Sequence, residues 1–171
     1  MLSLIFLITP IVGSYKPVDS TPPFLNAAAT YSQVIKSEDC QAKGLRSFDL
    51  LDIEGHKVNK FIYLQTKSVL KNARDAGKEL ELSSTFRDCK EQRILRTSNC
   101  SSSSLPAESC SPPTEKAGES LHNYGMAIDF SCKGYSIFES SPCYKWMQDN
   151  ASKSKFKQRD REPWHWSLTG K

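Results

Sequence analysis

Apolar positions recur at helical spacing through one long stretch of the chain. Ile62, Val69, Ala73 and Ala76 fall on one face, Phe61 and Leu70 widen it, and Gly77 supplies a stop. The period predicts a helix from about Asn59 onward. In ELELSSTF the period falls to two, with Leu80, Leu82 and Ser84 alternating with other residues as in a strand. Asp88 followed three residues later by Glu91 is a capping-box pattern, which predicts a short helix carrying Cys89 and Gln92. MAIDF (126–130) is a short apolar run suited to a buried strand. Ser141 with Pro142 at the first helical position opens a further helix through Trp146 and Met147. In EPWHWSL, Trp164, Trp166 and Leu168 alternate with His165 and Ser167, so a turn at Pro163 is expected to feed a last strand. Residues 97–119 are rich in Ser and Pro and read as a long loop, of the kind that is functional or stapled.

The ends and the cysteines change this picture. Leu2 to Ile8 form an apolar run broken by Thr9 and Pro10, too short to span a bilayer. With small residues at Val12 and Ser14, residues 1–14 are expected to be a signal peptide, followed by a proline-bearing linker over 15–35 and one domain over 36–171. No second apolar run follows, so no stable membrane insertion is expected once the leader is removed. Cys40, Cys89, Cys100, Cys110, Cys132 and Cys143 are even in number and never spaced C-x-x-C, which argues against zinc ribbons and redox motifs. In an oxidising compartment they pair. Fifteen connectivities exist for six cysteines; the expected one joins the local pairs Cys100–Cys110 and Cys132–Cys143, leaving Cys40–Cys89. Each local bridge closes a loop of about ten residues, worth about 2–3 kcal/mol in the chain-entropy model. The net charge of +4 comes from scattered Lys and Arg, which does not mark a nucleic-acid binder.

The candidate chemistry lies in GESLHNYGMAIDF (118–130). Catalytic zinc takes three protein ligands and keeps one position for water. His122 on a loop and Asp129 on the following strand could converge if the chain bends between them, and Gly125 permits that bend. Of the two other histidines, His56 lies in a polar segment without a partner pattern. His165 lies three residues after Glu162, so one short segment offers both a ligand and an acid/base group. A carboxylate beside metal-activated water can take its proton and return it to a leaving amine. Arg87, at the end of the expected strand, could stabilise developing negative charge or grip a substrate carboxylate. Taken singly, each residue has a blander role: a capped loop histidine, a turn-capping aspartate, a surface ion pair, core tryptophans.

Taken together they resemble a known set of motifs. STFR (84–87) with Gln92 five residues after the arginine resembles the S-x-(Y/F)-R-x-x-x-x-Q motif of zinc D-alanyl-D-alanine carboxypeptidases. SLHNYGMAID (120–129) is similar to their S-x-H-x-x-G-x-A-x-D motif, and EPWHW (162–166) to their E-x-W-H-(W/F) ending. This is the VanY-type branch of the LAS peptidases, which includes L-alanyl-D-glutamate endopeptidases and shares its fold with the hedgehog signalling domain. The resemblance implies His122, Asp129 and His165 as Zn2+ ligands and Glu162 as catalytic base. It places Arg87 at the substrate near the scissile carbonyl, Ser120 at the substrate's polar end, Gln92 behind Arg87 and Trp164 along the cleft. Two departures stand out. Family members often carry a Tyr-Gly-Phe-like strand where this chain has the charged, glycine-free KSKFKQRDRE, and the loop before Ser120 is longer than the motif needs.

The expected fold class is therefore α+β: a small antiparallel sheet with packed helices, a zinc cleft on one face and disulfide-stapled loops. The expected protein is a monomer, secreted or located in the periplasm or cell wall. Its expected activity is hydrolysis of the D-Ala-D-Ala bond of peptidoglycan stem peptides, with an L-Ala-D-Glu endopeptidase or a non-catalytic zinc-binding module as alternatives.

Overall fold

Glu54 and Gly55 both adopt positive φ and turn the chain between two short strands, β1 (Leu50–Ile53) and β2 (His56–Asn59). Positive φ at both central residues matches the right-handed twist of a hairpin. The computed structural model describes residues 49–171. The expected leader, the 15–35 linker, the domain start at 36 and Cys40 lie outside the described residues.

The hairpin delays the expected helix. It begins at Tyr63, not near Asn59, and runs as α1 (Tyr63–Asp75). The cause is Asn59, a buried side chain that donates from Nδ2 to the Tyr124 carbonyl and accepts the Phe61 N–H, holding the chain in a turn. Phe61 is consequently half-exposed outside the helix, and Ala76 is an exposed cap. The face that packs inward is Thr66, Val69, Leu70 and Ala73, a spacing of three, four and seven residues that makes one stripe.

The main sheet has five antiparallel strands. Four run in the order β3 (Leu80–Ser84), β4 (Ala127–Cys132), β7 (Glu162–Ser167), β6 (Lys157–Arg159), and β5 (Tyr135–Ser136) adds to β4. Central β4 is buried on nearly every residue, in keeping with its unbroken apolar reading. Ile128 and Phe130 point to the core, where Phe130 meets Phe156 edge to face, so Asp129 must point to the opposite face. Helix α2 (Cys89–Asn99) carries the expected capping box: Asp88 accepts the Glu91 N–H, and Glu91 accepts the Asp88 N–H. Helix α3 (Pro142–Asn150) buries Cys143 and Met147. Disulfides join Cys100 to Cys110 and Cys132 to Cys143. Cys89 is also disulfide-bonded.

The charged segment 153–162 does make a strand, despite lacking glycine. Lys155 and Arg161 themselves take up positive φ at the turns flanking β6, and Phe156 is fully buried between them. Gly125, by contrast, has no substitute. At φ +62° its added Cβ would lie 2.9 Å from Leu50 Cδ2 and 3.0 Å from the Asn59 backbone nitrogen. Gly125→Ala is expected to cost at least about 1–2 kcal/mol from the left-handed backbone alone, with the clash added, measured as a lowered urea midpoint.

Candidate metal centre

The antiparallel register assembles the site. Ser84 pairs with Asp129, and Asp129 pairs with His165, so three adjacent strands present one transverse row on the same face. A slip of one residue in any of these strands would send its contributor to the opposite face. The fourth contributor, His122, comes from a 3₁₀ turn (Leu121–Tyr124) that Ser120 caps by accepting the His122 N–H and Gly125 ends in the left-handed conformation. Buried Asn123 ties this turn down. Its Nδ2 donates to the carbonyls of Arg87 and Asp88, and its Oδ1 accepts the Gly118 N–H. Nothing in the hydrophobic pattern marked Asn123; its place between two motif residues was the only signal.

His122 Nε2, His165 Nδ1 and Asp129 Oδ1 face one another. The separations are 3.2 Å between the imidazole nitrogens, 3.3 Å from His122 to Asp129 and 3.0 Å from His165 to Asp129. The outward nitrogens have fixed partners: His122 Nδ1 lies 2.6 Å from the Thr85 carbonyl, and His165 Nε2 lies 2.9 Å from that of Lys171. Carbonyl oxygens only accept, so each outward nitrogen carries the proton and each inward one offers a lone pair. Two lone pairs and a carboxylate oxygen at this range repel each other and attract a cation. The trio satisfies the donor chemistry of a three-ligand divalent site.

A proton on His165 relieves the same crowding, turning its inward lone pair into a donor toward Asp129. Burial by itself would raise Asp129, but the facing imidazoles of His122 and His165 hold its carboxyl well below the usual carboxylate range. Burial opposes charge on His165, yet the hydrogen bond and charge of Asp129, aided by Glu162 and the Lys171 carbonyl, raise it. Glu162 is buried, and that burial raises its carboxyl, with His165 and Arg159 pulling the other way.

The row opens into a cleft of about 560 Å³. Glu162, Trp164 and Arg87 line it, as do Ser120 and Gln92. Arg87 donates to Gln92 Oε1 at 2.7 Å and to Ser84 Oγ at 3.0 Å, and lies 3.7 Å from Asp129. Gln92 in turn donates to the Glu115 carbonyl. Only two of the five N–H groups of a guanidinium are thereby spent on side-chain partners.

The long loop before Ser120 narrows the cleft from the far side, at residues that no motif marked. Residues 111–115 of the stapled loop face the sheet across the cleft. Buried Arg96 organises that loop, donating to the carbonyls of Thr114, Ser103 and Leu105. It lies one turn beyond Gln92, so α2 buries a polar stripe in place of an apolar one. Arg96→Met leaves three loop carbonyls without their donor, and an unmet buried group costs about 1–3 kcal/mol. The expected result is faster amide hydrogen exchange across residues 103–115 and a lowered urea midpoint.

Comparison with known proteins follows the same lines. The family profile described as VanY, D-alanyl-D-alanine carboxypeptidase, matches residues 55–171. The vancomycin-resistance D,D-pentapeptidase VanY from a VanB-type cassette, solved as a mutant in complex with Zn(II), is 20% identical with a TM-score of 0.56. That match covers 69% of this chain and 76% of its own. VanYB in complex with D-alanine-D-alanine is 18% identical with a TM-score of 0.59, covering 72% and 78%. The LdcB LD-carboxypeptidase is 23% identical with a TM-score of 0.57, covering 72% and 69%. At these identities the likeness establishes the shared fold. No curated protein sequence matches the chain significantly.

Proposed function

The chain belongs to the VanY family of D-alanyl-D-alanine carboxypeptidases, and on that premise we propose a zinc peptidase that removes the terminal D-Ala of peptidoglycan stem peptides. The observation that carries this reading is the inward trio of His122 Nε2, His165 Nδ1 and Asp129 Oδ1, with both outward ring nitrogens committed to backbone carbonyls. In this reading the trio holds Zn2+, which when bound supplies Lewis acidity toward a water and the scissile carbonyl.

The protein's own side chains do the rest. Glu162 takes a proton from the attacking water and delivers it to the leaving amine as the C–N bond breaks. Burial suits it to this task, because a raised carboxyl is a stronger base once ionised. Arg87, steadied by Gln92 and Ser84, offers its remaining N–H groups to the peptide's terminal carboxylate or to the carbonyl oxygen as charge builds there. Ser120 supports the cleft through the His122 turn. The disulfides favour an oxidising compartment, in keeping with action at a cell wall. Among the described residues no helix is long and apolar enough to cross a membrane.

Two tests bear on this. Purified protein with zinc, given stem peptides ending in D-Ala-D-Ala, is expected to release D-Ala, identified by mass spectrometry of the products. Glu162→Gln should retain the metal and lose about 10²–10⁴-fold in turnover, whereas His122→Ala should lose the metal. Turnover preserved in the Glu162 variant would sink the assignment. The pH profile gives a second check. Glu162 must be ionised to accept a proton, so activity rises with pH through its raised pKa. The acid limb of kcat/KM is expected above the ordinary glutamate value of about 4.3.

A further inference from the structure

Arg159 belongs to no motif in the sequence, yet it stands between two carboxylates. Its Nε lies 2.8 Å from Glu162 Oε1, and its Nη2 lies 3.0 Å from Glu115 Oε1. Strand pairing sets Arg159 directly opposite Glu162, beside an irregularity in the β6–β7 register. The arginine side chain is largely buried, with 15% of it exposed, and Glu162 is more so. Glu162 Oε1 is sealed from solvent and no N–H is aligned on it for a hydrogen bond, so Arg159 holds it as an ion pair at contact distance, while its Nη2 donates a true hydrogen bond to Glu115. Glu115 comes from the loop that the Cys100–Cys110 bridge and Arg96 fix in place, and all three charged residues line the cleft.

A planar guanidinium presents its N–H groups in a rigid fork, so two of its edges can hold two carboxylates in fixed relation. With Oε1 drawn against the guanidinium by charge, Oε2 is the oxygen left to exchange protons with substrate and water. We propose that Arg159 is the positioning residue of Glu162, itself braced by Glu115, so that the stapled loop orients the base from across the cleft. This rests on the reading of Glu162 as the base. Arg159 is not required to touch substrate, which separates its role from that of Arg87.

The test compares wild type with R159M, R159K, E115Q and the R159M/E115Q double variant on a stem pentapeptide ending in D-Ala-D-Ala. Zinc content and the urea midpoint are read in parallel. R159M is expected to lose about 10²-fold in kcat with KM unchanged, the scale of a misplaced catalytic group. R159K should recover part of that loss, since its ammonium reaches one carboxylate but cannot fork between two. E115Q should cost less than R159M and nothing further in the R159M background, the sign of a coupled pair. Wild-type kcat in R159M, or a loss confined to KM, overturns the proposal; independent, additive effects of E115Q remove Glu115 from it. Should R159M fold poorly, R159K and E115Q decide by the same kcat criterion. Crystal structures of wild type and R159M at one pH give a readout free of turnover. A Glu162 carboxylate that swings away or splits into rotamers supports the positioning role, and an unmoved one overturns it. An inactive wild type defeats the zinc-peptidase reading and leaves the crystallographic comparison to decide on Arg159.

Discussion

The structure is organised around a local repulsion. Three atoms with lone pairs, on His122, His165 and Asp129, are brought within 3.3 Å of one another on the face of a sheet. Left to themselves, such groups rotate apart. They are kept facing by the pairing of β4 with β7, which fixes Asp129 opposite His165, and by two backbone carbonyls that take the outward imidazole protons. Folding free energy is spent on concentrating electron pairs, and a positive charge recovers it. That is why the turn at residues 120–125, whose Leu121 and Tyr124 join the core, is further secured by Asn59, Asn123 and a glycine that tolerates no side chain.

On one side of this centre the molecule buries polar side chains, where most of its elements bury apolar ones. Helix α2 turns Gln92 and Arg96 inward, and Ile94 outward at 61% exposure. Its capping box defines where it starts, and its contacts with loop carbonyls define what it does. The helix therefore couples the Arg87 side of the cleft, through Gln92, to the opposite wall, through Arg96 and Glu115.

Much of this was legible in the chain, for identifiable reasons. The α1 stripe, the alternation of β3, the Asp88–Glu91 cap, the apolar run of β4 and Pro142 at a helix start are local signals, and local signals survive folding. The convergence of His122, Asp129 and His165 in one cleft was reached through motif order, because residues in separate elements leave no mark in hydrophobic period. What escaped detection was non-local or unconventional. The β1–β2 hairpin is short and of mixed polarity. The turns about β6 place Lys155 and Arg161 where glycine is the usual signal. The Glu115–Arg159–Glu162 chain joins a loop to two strands, and no window of sequence contains that relation.

The wall formed by residues 100–119 has a consequence for recognition. A disulfide and a buried guanidinium hold it from within, so its ordering cost falls on folding and not on the encounter with a peptide. Such a slot behaves as a fixed gauge. A side chain too thick for it is turned away instead of being embraced by a closing flap, and the flexible peptide, entering a space already cut to size, surrenders most of the freedom lost.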